Sequence, residues 1–172
     1  MRLEHLLELD TALSEFLTLA PDSTRWRRAK WLAHLGDGPV VFGMLGLVYL
    51  LGLSENSSLL RRACVVIAIM VALAIVVVTL IKFVVRRQRP RDPGEFVTFQ
   101  YDVYSFPSGH AARLAALAVS TAFFYAPLGW MLGGMAVAVG LARVAVGIHF
   151  VSDVLIGLTV GALVGWGAVV FL

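Results

Sequence analysis

Residues 63–85 read "ACVVIAIMVALAIVVVTLIKFVV", an apolar run whose only charged residue, Lys82, lies near its end. Roughly 20 apolar residues in helical conformation are enough to cross the hydrocarbon core of a bilayer. The rest of the 172-residue chain is similar, since 59% of its residues are hydrophobic and 15% are charged, with a mean hydropathy of +0.86. This composition predicts an all-α, polytopic helical membrane bundle that forms one domain over residues 1–172.

The other apolar runs predict about five transmembrane helices and one helix that lies along the membrane surface. The expected spans are 38–53, with an extension toward Trp31, 63–85, 111–126, 128–147 and 153–172. Before them, apolar residues recur at helical spacing with acidic residues in the gaps, which is typical of an amphipathic interfacial helix. We therefore expect an interfacial segment within residues 1–30 and a helical core over residues 32–172.

Glycines recur every four residues in the last predicted span, at Gly157, Gly161 and Gly165. Such a stripe allows another helix to approach closely. We expect the stripe to pack against another helix of the same chain rather than to form a homo-oligomer contact, although a homo-oligomer through this helix stays possible.

The positive charge of the chain fits a membrane surface better than a nucleic acid. The net charge is +3, and the arginines form short clusters beside apolar runs, as in "RWRRAKW" (25–31). Clusters of this kind face anionic lipid headgroups. We predict membrane lipids as partners, no nucleic acid, and a multi-pass location in the cell (inner) membrane. The Lys and Arg count favours a cytoplasmic position for the polar cluster described next, but candidate phosphate-binding arginines contribute to that count, so either side of the membrane remains open.

Ionisable residues gather in three segments, which read "IKFVVRRQRPR" (81–91), "PSGH" (107–110) and "ARVAVGIHFVSD" (142–153). Burying an ionisable group in a membrane costs about a few kcal/mol, so such residues indicate function. Counting the predicted crossings places all three segments on one side of the membrane. The long polar loop over 86–109 is therefore expected to be functional.

The residue types in these segments suit a tetrahedral phosphate dianion. Arginine and lysine side chains and the free amides at a helix start bind phosphate oxygens. The candidate phosphate-binding residues are Lys82, Arg89, Ser108, Gly109 and Arg143. Asp153 stands four residues after His149 and can orient that imidazole for nucleophilic attack, while His110 is the candidate general acid.

At these residues the chain resembles the type 2 phosphatidic acid phosphatase (PAP2) superfamily, whose pattern has three parts. Lys82, Arg89 and Pro90 match Lys-x6-Arg-Pro; residues 107–110 match Pro-Ser-Gly-His; and Arg143, His149 and Asp153 match Ser-Arg-x5-His-x3-Asp. The one departure is Ala142, where the family usually has serine. The resemblance covers roughly residues 32–172.

The resemblance implies a membrane phosphatase that uses neither metal nor cofactor. His149 would form a phosphohistidine, Asp153 would orient it, and His110 would protonate the leaving oxygen. The implied substrate is the terminal phosphate of a lipid phosphate or diphosphate, such as undecaprenyl diphosphate, phosphatidylglycerol phosphate, phosphatidic acid, a lipid A phosphate or a polyprenyl-phosphosugar phosphate. Arg113, outside the pattern, is expected to reach a lipid headgroup or to pair with Glu95 or Asp102.

A small multi-pass transporter or channel with an anion site is the alternative from another functional class. It predicts ionisable residues through the depth of the bundle, whereas here they gather at one level. Vanadate-dependent haloperoxidases share the anion-binding pattern, but they are soluble and much longer.

Overall fold

The computed structural model describes residues 3–91 and 103–171, and each regular element within these ranges is helical. The helices are α1 (Leu3–Leu17), α2 (Thr24–His34), α3 (Gly38–Ser54), α4 (Ser58–Val85), α5 (Gly109–Phe124), α6 (Ala126–Ala145) and α7 (Val151–Trp166), and a 3₁₀ turn (Gly167–Phe171) follows the last one. The predicted all-α architecture is confirmed. Residues 92–102 of the predicted functional loop, which include Glu95 and Asp102, lie outside the described residues.

Helix α5 forms the centre of the bundle and packs against α4, α6 and α7. Small side chains make this position possible, because Ala111, Ala112 and Ala116 are fully buried and let neighbouring backbones approach. The larger side chains of α4 and α6, such as Val71 and Val139, complete the apolar core around Leu114. The start of α5 is thereby held at the junction of the surrounding helices.

The glycine stripe of α7 faces α5 within the same chain. A Cβ atom at Gly157 would lie 2.5 Å from the carbonyl oxygen of Ser108, and one at Gly161 would lie 2.1 Å from that of Ala112. Only glycine permits so close a backbone contact. The stripe therefore packs inside the chain as expected, and a homo-oligomer through α7, which stays a prediction, would need another face of the helix.

Three of the described helical segments are long and apolar enough to cross a membrane, namely Ser58–Val85, Ala126–Ala145 and Val151–Phe171. Helices α2 and α3 become a fourth candidate if they form one span bent by 50°. The predicted span over 111–126 corresponds to α5, whose 16 residues extend about 24 Å at 1.5 Å per residue. The predicted count of five is therefore not confirmed, because the central helix is shorter than the roughly 30 Å hydrocarbon core.

The amphipathic helix predicted near the N-terminus is α1, and two of its polar residues contact the bundle. Asp10 and Ser14 face the start of α7, where they accept hydrogen bonds from the backbone N–H groups of Ser152 and Val151 at 2.9 and 3.0 Å. The apolar side is exposed, with Phe16 at 84%. This orientation suits the predicted interfacial position, since an exposed apolar helix face can insert into the membrane boundary.

Candidate active site

The chemically important residues of all three predicted segments meet at one end of the bundle. Lys82 belongs to the last turn of α4, residues 108–110 begin α5, Arg143 belongs to the last turn of α6, and Asp153 to the first turn of α7. Most of these polar side chains are buried: Arg143 and Asp153 at 0% exposure, His149 at 1%, Lys82 at 3% and His110 at 6%. Because burial of charged groups is costly unless they are paired, this arrangement indicates a functional site.

His149 and Asp153 lie beside each other at the start of α7. His149 precedes α7, and its Nδ1 lies 3.5 Å from Oδ2 of Asp153, somewhat longer than a formed hydrogen bond. The Asp153 carboxylate accepts hydrogen bonds from the backbone N–H of Phe150 at 2.9 Å and from the Arg87 guanidinium at 2.8 Å. The carboxylate is therefore fixed at the helix start, with one oxygen directed toward the imidazole.

Each of the two histidines has an arginine beside its Nε2 atom. One guanidinium nitrogen of Arg89 lies 3.5 Å from Nε2 of His149 and also donates to the carbonyl oxygen of Ile148 at 3.1 Å. One guanidinium nitrogen of Arg143 lies 3.3 Å from Nε2 of His110. An anion bound by these two arginines would lie within reach of both imidazoles.

Of the remaining three candidate phosphate ligands, Lys82 and Ser108 are engaged with the protein backbone. The Lys82 ammonium donates to the carbonyl oxygen of Tyr104 at 2.5 Å, which ties α4 to the segment before α5. The backbone N–H of Ser108 donates to the carbonyl oxygen of Asp153 at 2.9 Å, and its hydroxyl lies 3.5 Å from the N–H of Ala111. The Ser108 amide, expected from the sequence as a phosphate ligand together with that of Gly109, is thus used to join α5 to α7.

Sequence reasoning missed three charged residues that contact this cluster. Arg87 stands two residues before Arg89 and stacks on Phe150 at 3.7 Å, in addition to its hydrogen bond with Asp153. Asp10 of α1 lies 2.8 Å from the same guanidinium. Asp37, the residue before α3, lies 2.6 Å from Nε2 of His110. The repeated arginine in "RRQRP" was the only signal that pointed toward any of them.

Arg113 and Ala142, the two other residues singled out from the sequence, also lie near this cluster. Arg113 donates to the carbonyl oxygen of Gly36 at 3.1 Å, so one of its contacts is with the connection between α2 and α3. Ala142 packs with Ala33, Val146 and Ile148 in an apolar cluster beside Arg143. Its methyl group fills a space that a serine hydroxyl would make polar.

The family comparison agrees with this site. The family model described as the PAP2 superfamily matches residues 63–172, which contain all three parts of the pattern. The chain belongs to the PAP2 superfamily. A curated relative, decaprenylphosphoryl-5-phosphoribose phosphatase of Mycobacterium tuberculosis, is 32% identical over 139 residues, which cover 80% of this chain and 75% of the relative.

Solved PAP2 structures share the fold. A transmembrane PAP2 type phosphatidylglycerolphosphate phosphatase from Bacillus subtilis superposes with a TM-score of 0.80 at 22% identity and covers 97% of this chain and 86% of its own. Aquifex aeolicus LpxE gives a TM-score of 0.66 at 20% identity, with 94% of each chain covered. The predicted PAP2 resemblance and the helical membrane fold are both confirmed.

The PAP2 match begins at residue 63, so the first three helices precede it. Asp10 and Asp37, which contact the site from these helices, are therefore outside the matched region. They mark a contribution to the site that the three-part pattern does not include.

Proposed function

We propose that this protein is a lipid phosphate phosphatase of the cell (inner) membrane that removes a terminal phosphate through a phosphohistidine intermediate. The observation that carries the proposal is the meeting of His110, His149, Arg89 and Arg143 at one end of a PAP2 fold, with Asp153 beside His149. The whole chain acts as a single domain, in which α1 lies at the membrane boundary and residues 32–172 form the catalytic core.

In the first half of the reaction, Nε2 of His149 attacks phosphorus. Asp153 faces the Nδ1–H group of the imidazole at 3.5 Å, close enough to accept a hydrogen bond from it after a small movement, and this tautomer leaves Nε2 with its lone pair. As the nitrogen–phosphorus bond forms and the phosphorus–oxygen bond to the lipid breaks, His110 gives its proton to the leaving oxygen. The products of this half are a phosphohistidine and a lipid hydroxyl or, from a diphosphate, a lipid monophosphate.

In the second half, water releases the phosphate. His110, now neutral, takes a proton from the attacking water, and the nitrogen–phosphorus bond breaks to restore His149. Lys82, Arg89 and Arg143 stabilise the phosphoryl oxygens while charge redistributes, with Ser108 and Gly109 at the start of α5 beside them. Positioning and electrostatics supply most of the acceleration in phosphoryl transfer of this kind.

The substrate is a membrane lipid that presents its terminal phosphate at this end of the bundle. The curated relative is named for decaprenylphosphoryl-5-phosphoribose, so a polyprenylphosphoryl sugar phosphate comes first among the candidates. Phosphatidylglycerol phosphate comes second, since the B. subtilis neighbour carries that name. The terminal phosphate is common to both, and the apolar part of the substrate lies among membrane lipids.

A phosphatase function accounts for the positions of the charged residues better than a transport function with an anion site does. Among the described residues, the buried cations, imidazoles and carboxylate lie at one end of the bundle, while the buried polar groups of its interior are hydroxyls such as Ser120 and Thr121. A conduction path would place ionisable groups through the depth of the bundle. PAP2 membership also favours the phosphatase.

The test is phosphate release by the purified full chain in detergent across a panel of lipid phosphates. The panel holds a polyprenylphosphoryl pentose phosphate, phosphatidylglycerol phosphate, phosphatidic acid, undecaprenyl diphosphate and a lipid A phosphate. We expect turnover of at least one of them, with the largest kcat/KM for the first, and none by His149→Ala. Release by His149→Ala at the wild-type rate, or no release from any lipid by the wild type, would contradict the proposal.

A further inference from the structure

The carboxylate of Asp37 lies between two imidazoles at the connection of α2 and α3. Its Oδ1 is 2.6 Å from Nε2 of His110, and its Oδ2 is 2.9 Å from Nδ1 of His34. Asp37 is the N-cap residue of α3, where a carboxylate usually accepts a hydrogen bond from the helix amides, but here it makes no such bond. The side chain is directed to the histidines instead.

We propose that Asp37 is a positioning residue for His110: its negative charge keeps the proton on Nε2 until the lipid oxygen takes it. This inference rests on the proposed function, in which His110 is the general acid. It assigns a role to a residue outside both the three-part pattern and the matched range 63–172.

The electrostatic surroundings of His110 make such a counter-charge necessary. The imidazole is 6% exposed, and the neighbouring guanidinium of Arg143 opposes a second positive charge beside it. The titratable and charged groups that face His110 are Asp37 from the start of α3, His34 from α2, Arg113 from its own helix, Arg143 from α6 and His149 from the segment before α7. Among these groups the Asp37 carboxylate is the negatively charged one, and its charge opposes that of the cations.

Asp37 also lies beside Nε2 of His110, the nitrogen that would donate the proton. Nε2 of His110 faces both Arg143, a phosphate-binding candidate, and Oδ1 of Asp37. A leaving oxygen that takes the proton from Nε2 must therefore approach beside Oδ1. As the phosphorus–oxygen bond breaks, the proton moves from Nε2 to the lipid oxygen, and in the second half a proton returns to Nε2 from water.

The backbone around Asp37 is fixed against α5. A Cβ atom at Gly36 would lie 3.0 Å from Cδ2 of His110, so the backbone of this glycine lies against the imidazole. Arg113 donates to the carbonyl oxygen of Gly36 at 3.1 Å and fastens the connection from the other side. With its backbone held in this way, the Asp37 carboxylate loses little conformational entropy when it orients the imidazole.

The test is Asp37→Asn in the full chain, assayed with a lipid phosphate and with an aryl phosphate. Asparagine preserves the shape and an acceptor oxygen but removes the charge. We expect kcat to fall about 10- to 100-fold on the lipid phosphate, whose alkoxide needs the proton, and less than about threefold on the aryl phosphate, whose leaving oxygen does not. The control is Glu55→Gln, an exposed carboxylate at the opposite end of α3, which should change neither rate.

A purely structural role would lower both rates together, so an equal loss on the two substrates, including a complete loss through misfolding, would overturn the proposal. An unchanged rate on the lipid phosphate would overturn it as well. In the double variant Asp37→Asn/His110→Ala, the lipid phosphate rate should equal that of His110→Ala alone, because Asp37 acts through His110. A further loss of 10-fold or more would contradict this. If the wild type released no phosphate from any lipid, the proposed function itself would fail, and this result is distinguishable from the others.

Discussion

Arg87 donates a hydrogen bond to Asp153 across 2.8 Å, although the two residues belong to different segments of the site. The same guanidinium lies 2.8 Å from Asp10 of α1, and Asp10 also accepts from the backbone N–H of Ser152 at 2.9 Å. The amphipathic helix is thus connected, through one arginine and the start of α7, to the carboxylate that faces His149.

We expect Asp10→Asn to lower kcat about 10-fold on alkyl and aryl phosphates alike. The variant weakens a charge-assisted contact that holds Arg87 and hence Asp153, so it affects the nucleophile and leaves protonation of the leaving group unchanged. The measurement is kcat on both substrates in detergent. Glu15→Gln, an exposed carboxylate on the same helix, is the matched control and should behave as the wild type. A loss confined to the alkyl substrate would show that Asp10 acts on the general acid instead.

The positions of the candidate site residues at one end of the bundle were easier to predict from the sequence than the number of spanning helices around them. The predicted meeting of the three segments follows from counting helices, because consecutive antiparallel helices return the chain to the same end. The pairing of His149 with Asp153 follows from their spacing, with the difference that α7 starts between them. These features depend on short-range patterns that a single sequence contains.

The features that sequence reasoning missed depend on long-range contacts. Asp10 and Arg87 are 77 residues apart, and Asp37 and His110 are 73 residues apart, so no local periodicity links them. Asp10 fits the polar side of an amphipathic helix, and Asp37 fits a turn with two glycines. The predicted span over 111–126 has the same 16 residues as α5. What the sequence did not reveal is that three other helices enclose this alanine-rich helix, so that it needs no lipid-facing length.

Activity should persist in EDTA. The three groups that would hold the phosphate, Lys82, Arg89 and Arg143, are cations, and hard metal ions require clusters of oxygen ligands. We expect phosphate release from a lipid phosphate to be unchanged in excess chelator and unaffected by added magnesium. Loss in EDTA with recovery on magnesium would refute a mechanism based on these cations.

Vanadate should inhibit competitively with the lipid phosphate. Its tetrahedral or trigonal bipyramidal oxyanion matches the charge that the cations beside His149 and His110 are arranged to stabilise. Arg143→Gln should raise the inhibition constant about 10-fold or more, because it removes a buried charge-assisted contact. The control is Arg62→Gln, at the opposite end of α4, where the native Arg62 contacts the carbonyl oxygen of Phe171. This variant should leave the inhibition constant unchanged. Equal inhibition of Arg143→Gln and wild type would place the oxyanion elsewhere.

Gly161→Ala should destabilise the bundle by about 1–3 kcal/mol, since its Cβ would lie 2.1 Å from the carbonyl oxygen of Ala112 and force α7 away from α5. Gly134→Ala, also in a helix interior but with nothing within 4 Å of its Cβ, is the matched control. It should keep or slightly raise stability through its helix propensity. Thermal unfolding in detergent measures both, and equal midpoints for the two variants would argue against the close α5–α7 contact.

The two histidines should respond differently to the leaving group. His149→Ala should abolish turnover of every substrate, because no covalent intermediate forms without the nucleophile. His110→Ala should lose about 10²–10⁴-fold on a lipid phosphate, whose alkoxide leaves poorly, and far less on an aryl phosphate. Asp153→Asn should resemble a weaker His149 defect on both substrates, since it misorients the nucleophile without removing it. The measurements are kcat on the two substrates and trapping of phosphoenzyme by rapid quench. Equal losses for His110→Ala on both substrates, or phosphoenzyme trapped in His149→Ala, would show that the roles of the histidines are exchanged or wrong.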